Sequence, residues 1–330
     1  MTQTKATIVS GMRPTGPLHL GHYFGVLENW LNFQKEYKCY FFVADWHALT
    51  TEYNNPQKVK NFISELVKDW LAVGLDPKKC ILFIQSQIKP HAELHLILSM
   101  LTPLGWLERN PTYKEVKHEL AAKNLNTYGF LGYPVLMASD ILIYRPNYVP
   151  VGEDQLPHLE LTREIARRFN FLYGNTFPEP QAKLTEASRL PGLDGRKMSK
   201  SYNNSIYLSE DFSSVQKKIM SMLTDTNRKR KSDPGDPARC NLYPYHRLLT
   251  PTQIREEIKE NCTQAKWGCV DCKKILLSNL EKLLIPIHEK RKQLDNNPSL
   301  IEEILDQGNK LALETAERTM SLVREKINFI

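Results

Sequence analysis

Two short strings of residues stand about a domain apart and make chemical sense as a pair. His19-Leu20-Gly21-His22 follows an apolar stretch, and Lys197-Met198-Ser199-Lys200-Ser201 lies between glycines and asparagines. A helix starting near Leu18 would turn free backbone N–H groups and its positive dipole end toward an anion. His19 and His22 would add hydrogen-bond donors, and Gly21, lacking a β-carbon, would let an adenine ring lie against the backbone. Lys197 and Lys200 are compact cations on flexible stems, suited to neutralising charge on a departing pyrophosphate. Neither G-x-x-x-x-G-K-[ST] nor G-x-G-x-x-G follows the first apolar run, so a nucleotide needs this other cradle. Alone, the first string reads as chance and the second as a solvated basic loop. Together they point to chemistry on ATP.

Elements must position these groups. Thr7–Ser10, Cys39–Ala44, Cys80–Gln85 and Val149–Val151 read as strands. Residues 57–74 carry Val59, Phe62, Ile63, Leu66, Val67, Trp70 and Leu71 at helical spacing, and Ala92–Leu101 and Leu156–Phe169 read as further helices. Strand–helix alternation predicts an α/β fold, a Rossmann-like parallel sheet covered by helices, with ligands at the carboxyl ends of its strands. After about residue 205 long helical patterns dominate, notably 273–295 and 299–327. The expected division is a catalytic domain over 1–204, with 191–204 as a mobile loop, and a mostly helical domain over 205–330. With 44 basic and 37 acidic residues the net charge is +7, which leaves a polyanionic partner open. Apolar runs are too short to span a bilayer, and Met1–Ser10 lacks the apolar core of a signal peptide. The expected location is cytoplasmic, and six cysteines in 330 residues do not make a secreted disulfide framework.

Four of those cysteines, Cys240, Cys262, Cys269 and Cys272, are separated by 21, 6 and 2 residues. A closing C-x-x-C among four thiols is a metal-site pattern that does not by itself separate zinc from iron–sulfur. Cys39 and Cys80 sit in strand-like runs and read as core. Arg228-Lys229-Arg230-Lys231, just before the cluster, reads as a solvated face or, beside a metal-stapled helical domain, as a phosphate contact.

The paired strings resemble the signature motifs of class I aminoacyl-tRNA synthetases. Ser10-Gly11-Met12-Arg13-Pro14-Thr15-Gly16, Ala44-Asp45-Trp46-His47-Ala48, Pro150-Val151-Gly152-Glu153-Asp154-Gln155 and Glu160-Leu161-Thr162-Arg163 together are similar to the bacterial tryptophanyl-tRNA synthetase family. On a helix, Tyr133, Met137 and Asp140 would share one face. Indole offers one N–H donor, and an ionised Asp140 only accepts. The resemblance implies that Asp140 reads the indole and Met137 packs on it. It also implies that Tyr133 and Gln155 hold the substrate ammonium and that His47 and Gly11 line the amino-acid pocket. Gly152 and Asp154 would meet the ribose. Arg13, Thr15, Gly21, His22, Lys114, Lys197, Met198, Ser199 and Lys200 would surround ATP. Arg13 departs from the glutamine common there.

The same resemblance implies ATP with Mg²⁺, L-tryptophan, tRNA(Trp) as partner, a homodimer through helices around 90–150, and anticodon reading by the helical domain. Some members carry a [4Fe–4S] cluster at nearly the same cysteine spacing, with a first gap one residue longer. The rival readings are tyrosyl-tRNA synthetase, a non-catalytic RNA-binding paralogue, and a small-molecule adenylyltransferase.

Overall fold

The computed structural model describes residues 5–111, 125–184 and 190–328. Five parallel strands, β1 (Thr7–Met12), β2 (Lys38–Val43), β3 (Cys80–Ile84), β4 (Tyr148–Val151) and β5 (Gln181–Leu184), form a sheet of order β3-β2-β1-β4-β5. Ile8 pairs with Cys39 on one side and Tyr148 on the other, so β1 is where the strand order reverses. The four expected strands are present. β5 is the addition: four residues at a sheet edge, with Leu184 exposed, carry too little apolar signal to read as a strand.

Side chains alternate across the strands and feed two cores. Ile8 and Phe41 face one, where Trp30 stacks on Phe41 at 4.2 Å and meets Trp70 edge-on at 5.2 Å. Val9, Tyr40 and Phe83 face the other. The first helix, α1, begins as Leu20–His22, loosens into a π-helical stretch at Tyr23–Leu27 and continues as Glu28–Glu36. It starts two residues later than expected. α2 (Asp45–Glu52) follows β2, and α3 (Pro56–Ala72) follows α2. Asn55 caps α3, its side chain accepting from the Lys58 N–H at 3.2 Å ahead of Pro56. α4 (Pro90–Leu101) and α5 (Leu104–Arg109) lead to α6 (Tyr128–Leu142), where the Thr127 hydroxyl accepts from the Phe130 N–H. α7 (Leu156–Tyr173) stops at Gly174, whose φ of +97° suits glycine.

The remainder is helical: α8 (Phe212–Ser221), α9 (Tyr243–Leu249), α10 (Thr252–Thr263), α11 (Cys269–Asp295) and α12 (Pro298–Lys326). α11 packs on α3, where Arg291 pairs with Asp69 and, at 2.6 Å, with Glu65. α12 returns to the sheet and covers the open edge of β3. There the Ile84 N–H donates to Asn309 Oδ1 at 3.0 Å, and Gly308 lies directly on the Leu82 carbonyl. No helix among the described residues is long and apolar enough to cross a membrane.

Candidate active site

A cleft of about 590 Å³ opens at the carboxyl ends of β1 and β4, where the strand order reverses. Gly11, Arg13, Thr15, His22, His47, Tyr133, Met137, Asp140, Gly152, Asp154 and Gln155 all line it. Tyr133, Met137 and Asp140 do share one face of α6. A Cβ on Gly152 would stand 2.7 Å from Asp154 Oδ1, so this glycine lets the Asp154 carboxylate fold back over the backbone. Lys114 lies outside the described residues.

The second motif meets the first. Met198 is buried, and its sulfur lies 3.7 Å from where a Cβ on Gly21 would stand. Lys200 Nζ lies 3.2 Å from the corresponding point on Gly16, which adopts φ +138°. Beyond the motif the chain seals the junction: the Leu20 N–H donates to the Ile206 carbonyl at 3.0 Å and the Leu208 N–H to the Leu18 carbonyl at 2.9 Å. Lys197 is exposed and Lys200 half-buried.

This packing corrects the expected anion cradle. The N–H groups of His19, Leu20 and His22 are already donating, to His22 Nδ1, the Ile206 carbonyl and the His19 carbonyl. These three backbone N–H groups are therefore not free to meet an anion. Burial, with the Lys200 charge, brings His19 down to about 4, and burial with the His19 and Lys200 charges lowers His22 well below the usual histidine value. Both imidazoles are neutral at pH 7. His22 Nδ1 accepts, so its proton sits on Nε2 as a donor. Burial, with repulsion from Lys58 and Arg13 and partly opposed by Asp69, brings Lys200 to about 8.

The loop carrying the lysines has an internal scaffold. Asn204 is buried; its Oδ1 accepts from the Ser199 N–H at 2.9 Å and its Nδ2 donates to Asp194 Oδ1 at 2.8 Å. The Tyr245 hydroxyl holds the Pro191 carbonyl at 2.6 Å.

Asp140, 1% exposed, is more heavily engaged than its sequence context suggests. Gln85 Nε2 lies 2.8 Å from both carboxylate oxygens, His91 Nδ1 2.6 Å from Oδ1, and His47 Nε2 2.7 Å from Oδ2. Burial alone would raise this carboxyl, but the bonds from His47 and His91 outweigh it and hold it at about 2. Gln85, His91 and His158, whose Nε2 lies 3.0 Å from the Tyr133 hydroxyl, were missed in the sequence. They come from the turn after β3, from α4 and from α7, and only the fold brings them here.

Cys240, Cys262, Cys269 and Cys272 line a second, much smaller cavity of about 20 Å³ between α9, α10 and α11. As the side chains stand, no group of three or more His, Cys, Asp or Glu among the described residues is arranged to hold a metal ion. Burial raises Cys240 and Cys262 and, with repulsion from the other cysteines, takes Cys272 to about 12. From the basic run, Arg228 turns inward, donating to the carbonyls of Lys231 and Trp267 at 2.7 Å each; Lys229, Arg230 and Lys231 remain exposed.

A parallel sheet with a cleft where the strand order reverses, and these two motifs packed against each other beside it, defines a class I synthetase. The sequence profile of the tRNA synthetases class I (W and Y) matches residues 1–285. A tryptophan–tRNA ligase of Thermotoga maritima is 51% identical over 325 residues, spanning 98% of this chain and 99% of that protein. One of Aquifex aeolicus is 46% identical, spanning 97% and 99%. The crystal structure of tryptophanyl-tRNA synthetase from Campylobacter jejuni complexed with ADP and tryptophan superposes with a TM-score of 0.88 at 33% identity, over 98% of this chain and 99% of that one. The chain belongs to the tryptophan–tRNA ligase family.

Proposed function

We propose that the chain activates L-tryptophan and esterifies tRNA(Trp). The tryptophan carboxylate attacks the ATP α-phosphorus and pyrophosphate leaves. The 2′-hydroxyl of the terminal tRNA adenosine then takes the tryptophanyl group and AMP departs. The observation that carries this reading is the contact of Met198 and Lys200 with Gly21 and Gly16 beside the cleft that holds Tyr133, Met137 and Asp140. Lys197 and Lys200 oppose charge on the leaving pyrophosphate, while neutral His19 and His22 donate hydrogen bonds without adding charge. Tyr133 and Gln155 orient the ammonium, Gly152 and Asp154 the ribose, and Asp140 accepts the indole N–H over Met137. Gly11, Arg13, Thr15 and His47 shape the cleft. No covalent enzyme intermediate is required; positioning and charge stabilisation carry the step. Mg²⁺ enters with ATP, mostly through phosphate oxygens and water.

Residues 205–330 are the tRNA-reading part, with Lys229, Arg230 and Lys231 as its phosphate contacts. The four cysteines are ligands of a [4Fe–4S] cluster, Zn²⁺ being the alternative. What supports this reading is that four thiols line one cavity and that Gly235 leaves the space beside Cys262, since a Cβ there would stand 2.6 Å from its sulfur. When bound, the group supplies a thiolate cross-link from the segment before α9 to α10 and α11. Leu96, Met100, Leu104 and Tyr128 expose 55–75% of their surface along α4, α5 and the start of α6, which supports a homodimer through that face. A cytoplasmic location fits the tRNA partner. Incubation with ATP, Mg²⁺, labelled tryptophan and unfractionated tRNA tests the reading. It should yield an alkali-labile tryptophanyl ester on tRNA, and no ester at any enzyme concentration would refute it.

A further inference from the structure

Two of the three donors to Asp140 lie entirely behind the cleft wall. Gln85 and His91 are each 0% exposed, whereas His47 faces the cleft. Gln85 follows β3, and its amide is fixed in orientation: Oε1 accepts from the Trp46 N–H at 3.1 Å, which leaves Nε2 to bridge both carboxylate oxygens. His91, at the start of α4, donates from Nδ1 to Oδ1, because an ionised carboxylate only accepts. In the neutral ring its Nε2 is an acceptor, and the Tyr144 hydroxyl supplies the proton at 2.8 Å. The direction of the chain Tyr144→His91→Asp140 is therefore set.

The surroundings hold these donors still. The Ser139 hydroxyl donates to the His91 carbonyl at 2.7 Å, tying α6 to α4. Tyr144 stacks on Tyr40, with ring centroids 4.6 Å apart. α12 braces both supporting elements: Asn309 accepts from Ile84, next to Gln85, and Arg324 grips Glu93, two residues beyond His91.

We infer that Gln85 and His91, backed by Tyr144, are positioning residues for tryptophan selection: they fix the Asp140 carboxylate so that Oδ2, on the His47 side, is presented to the indole N–H. Resting on the assignment of Asp140 as the indole acceptor, this adds the reason the acceptor discriminates. A carboxylate held at three points has little freedom to turn toward a different donor, so a substrate without the N–H leaves the acceptor position facing the cleft unmet.

The test compares tryptophan with β-(benzothiophen-3-yl)alanine, its isostere with sulfur in place of N–H, in ATP–pyrophosphate exchange. His91→Leu should raise the tryptophan KM about tenfold, leave the ATP KM unchanged, and reduce the preference for tryptophan over the isostere by about the same factor. His91→Asn, whose amide nitrogen reproduces the Nδ1 donor, should recover most of that preference. Tyr144→Phe keeps the ring stack and packing, removes only the O–H, and should lower the preference about threefold. Preference equal to native in both His91→Leu and Tyr144→Phe would overturn the inference while leaving Asp140 as the acceptor. Should His91→Leu not fold, native preference in Tyr144→Phe together with Gln85→Leu overturns it. A native enzyme that uses both amino acids equally would remove the acceptor role of Asp140 itself, and the inference with it.

Discussion

At the scale of single residues, charge placement separates the two halves of the active site. Burial beside the Gly16 loop lowers Lys200 to about 8, so above that pH it can gain a proton when phosphates arrive. Its value of about 8 means that free enzyme at pH 8.5 is partly deprotonated there. Bound triphosphate favours the charged form and raises it. ATP binding at pH 8.5 should therefore take up protons, seen by calorimetry in buffers of different ionisation enthalpy. Lys200→Ala should abolish that uptake and slow adenylate formation with little change in tryptophan affinity; uptake equal to native in the variant would count against the role. Asp140 is the opposite case, a buried anion maintained by its donors. Asp140→Asn should lower kcat/KM for tryptophan by roughly 10- to 100-fold, the ~1.5–3 kcal/mol of a hydrogen bond to a charged group. Normal tryptophan activation by that variant would make Asp140 a purely structural residue. The motifs at 19–22 and 197–201 were legible as a pair, because their residue types, weak signals singly, together suit phosphate chemistry. Gln85, His91 and Tyr144 were not, because their role is created by contacts across 55, 49 and 53 residues of sequence.

Among the elements, those with one apolar pattern were readable. β1 to β4 are apolar runs, and α3 and α7 have helical spacing with capping or stop residues at their ends. β5 and the π-helical stretch of α1 carry no such local signature; their conformations answer to neighbours. Asn204 organises the lysine loop from within, a role its side chain gains only from contacts with Asp194, Lys197 and Ser199. The cysteine elements were legible as a set: residues 240–272 are folded around one cavity by α9, α10 and α11. A ligand linking them acts locally, because the cavity is lined by residues between 224 and 272 and not by the sheet. Cys269→Ser should leave tryptophan-dependent pyrophosphate exchange within about twofold of native while impairing tRNA charging. Iron and acid-labile sulfide in anaerobically purified protein would identify the cluster. Stoichiometric zinc without sulfide would identify the alternative, and normal charging by the variant would remove the functional role.

The whole molecule is tied together from its C-terminal end. α11 and α12 belong to the helical half in sequence, yet the first shares a core with β1 and the second closes the sheet edge. A reading of the chain as two successive halves misses this, because α12 looks like any amphipathic helix until Gly308 is seen against β3. A Cβ at position 308 would stand 1.8 Å from the Leu82 carbonyl oxygen, and backbone cannot yield as a side-chain tip does. Gly308→Ala should cost about 1–3 kcal/mol of stability. It should also weaken tryptophan binding more than ATP binding, since β3 leads into Gln85. An unchanged Tm and unchanged KM values would contradict the bracing role of α12.

The central claim, that this cleft adenylates tryptophan, is tested most directly by ATP–pyrophosphate exchange with each standard amino acid supplied alone. Exchange should depend on tryptophan, with tyrosine and phenylalanine far behind, because the buried Asp140 carboxylate at the cleft is fixed by Gln85, His91 and His47 and, on the proposed reading, accepts the indole N–H. Exchange driven by tyrosine in preference to tryptophan, or by no amino acid at all, would contradict the account.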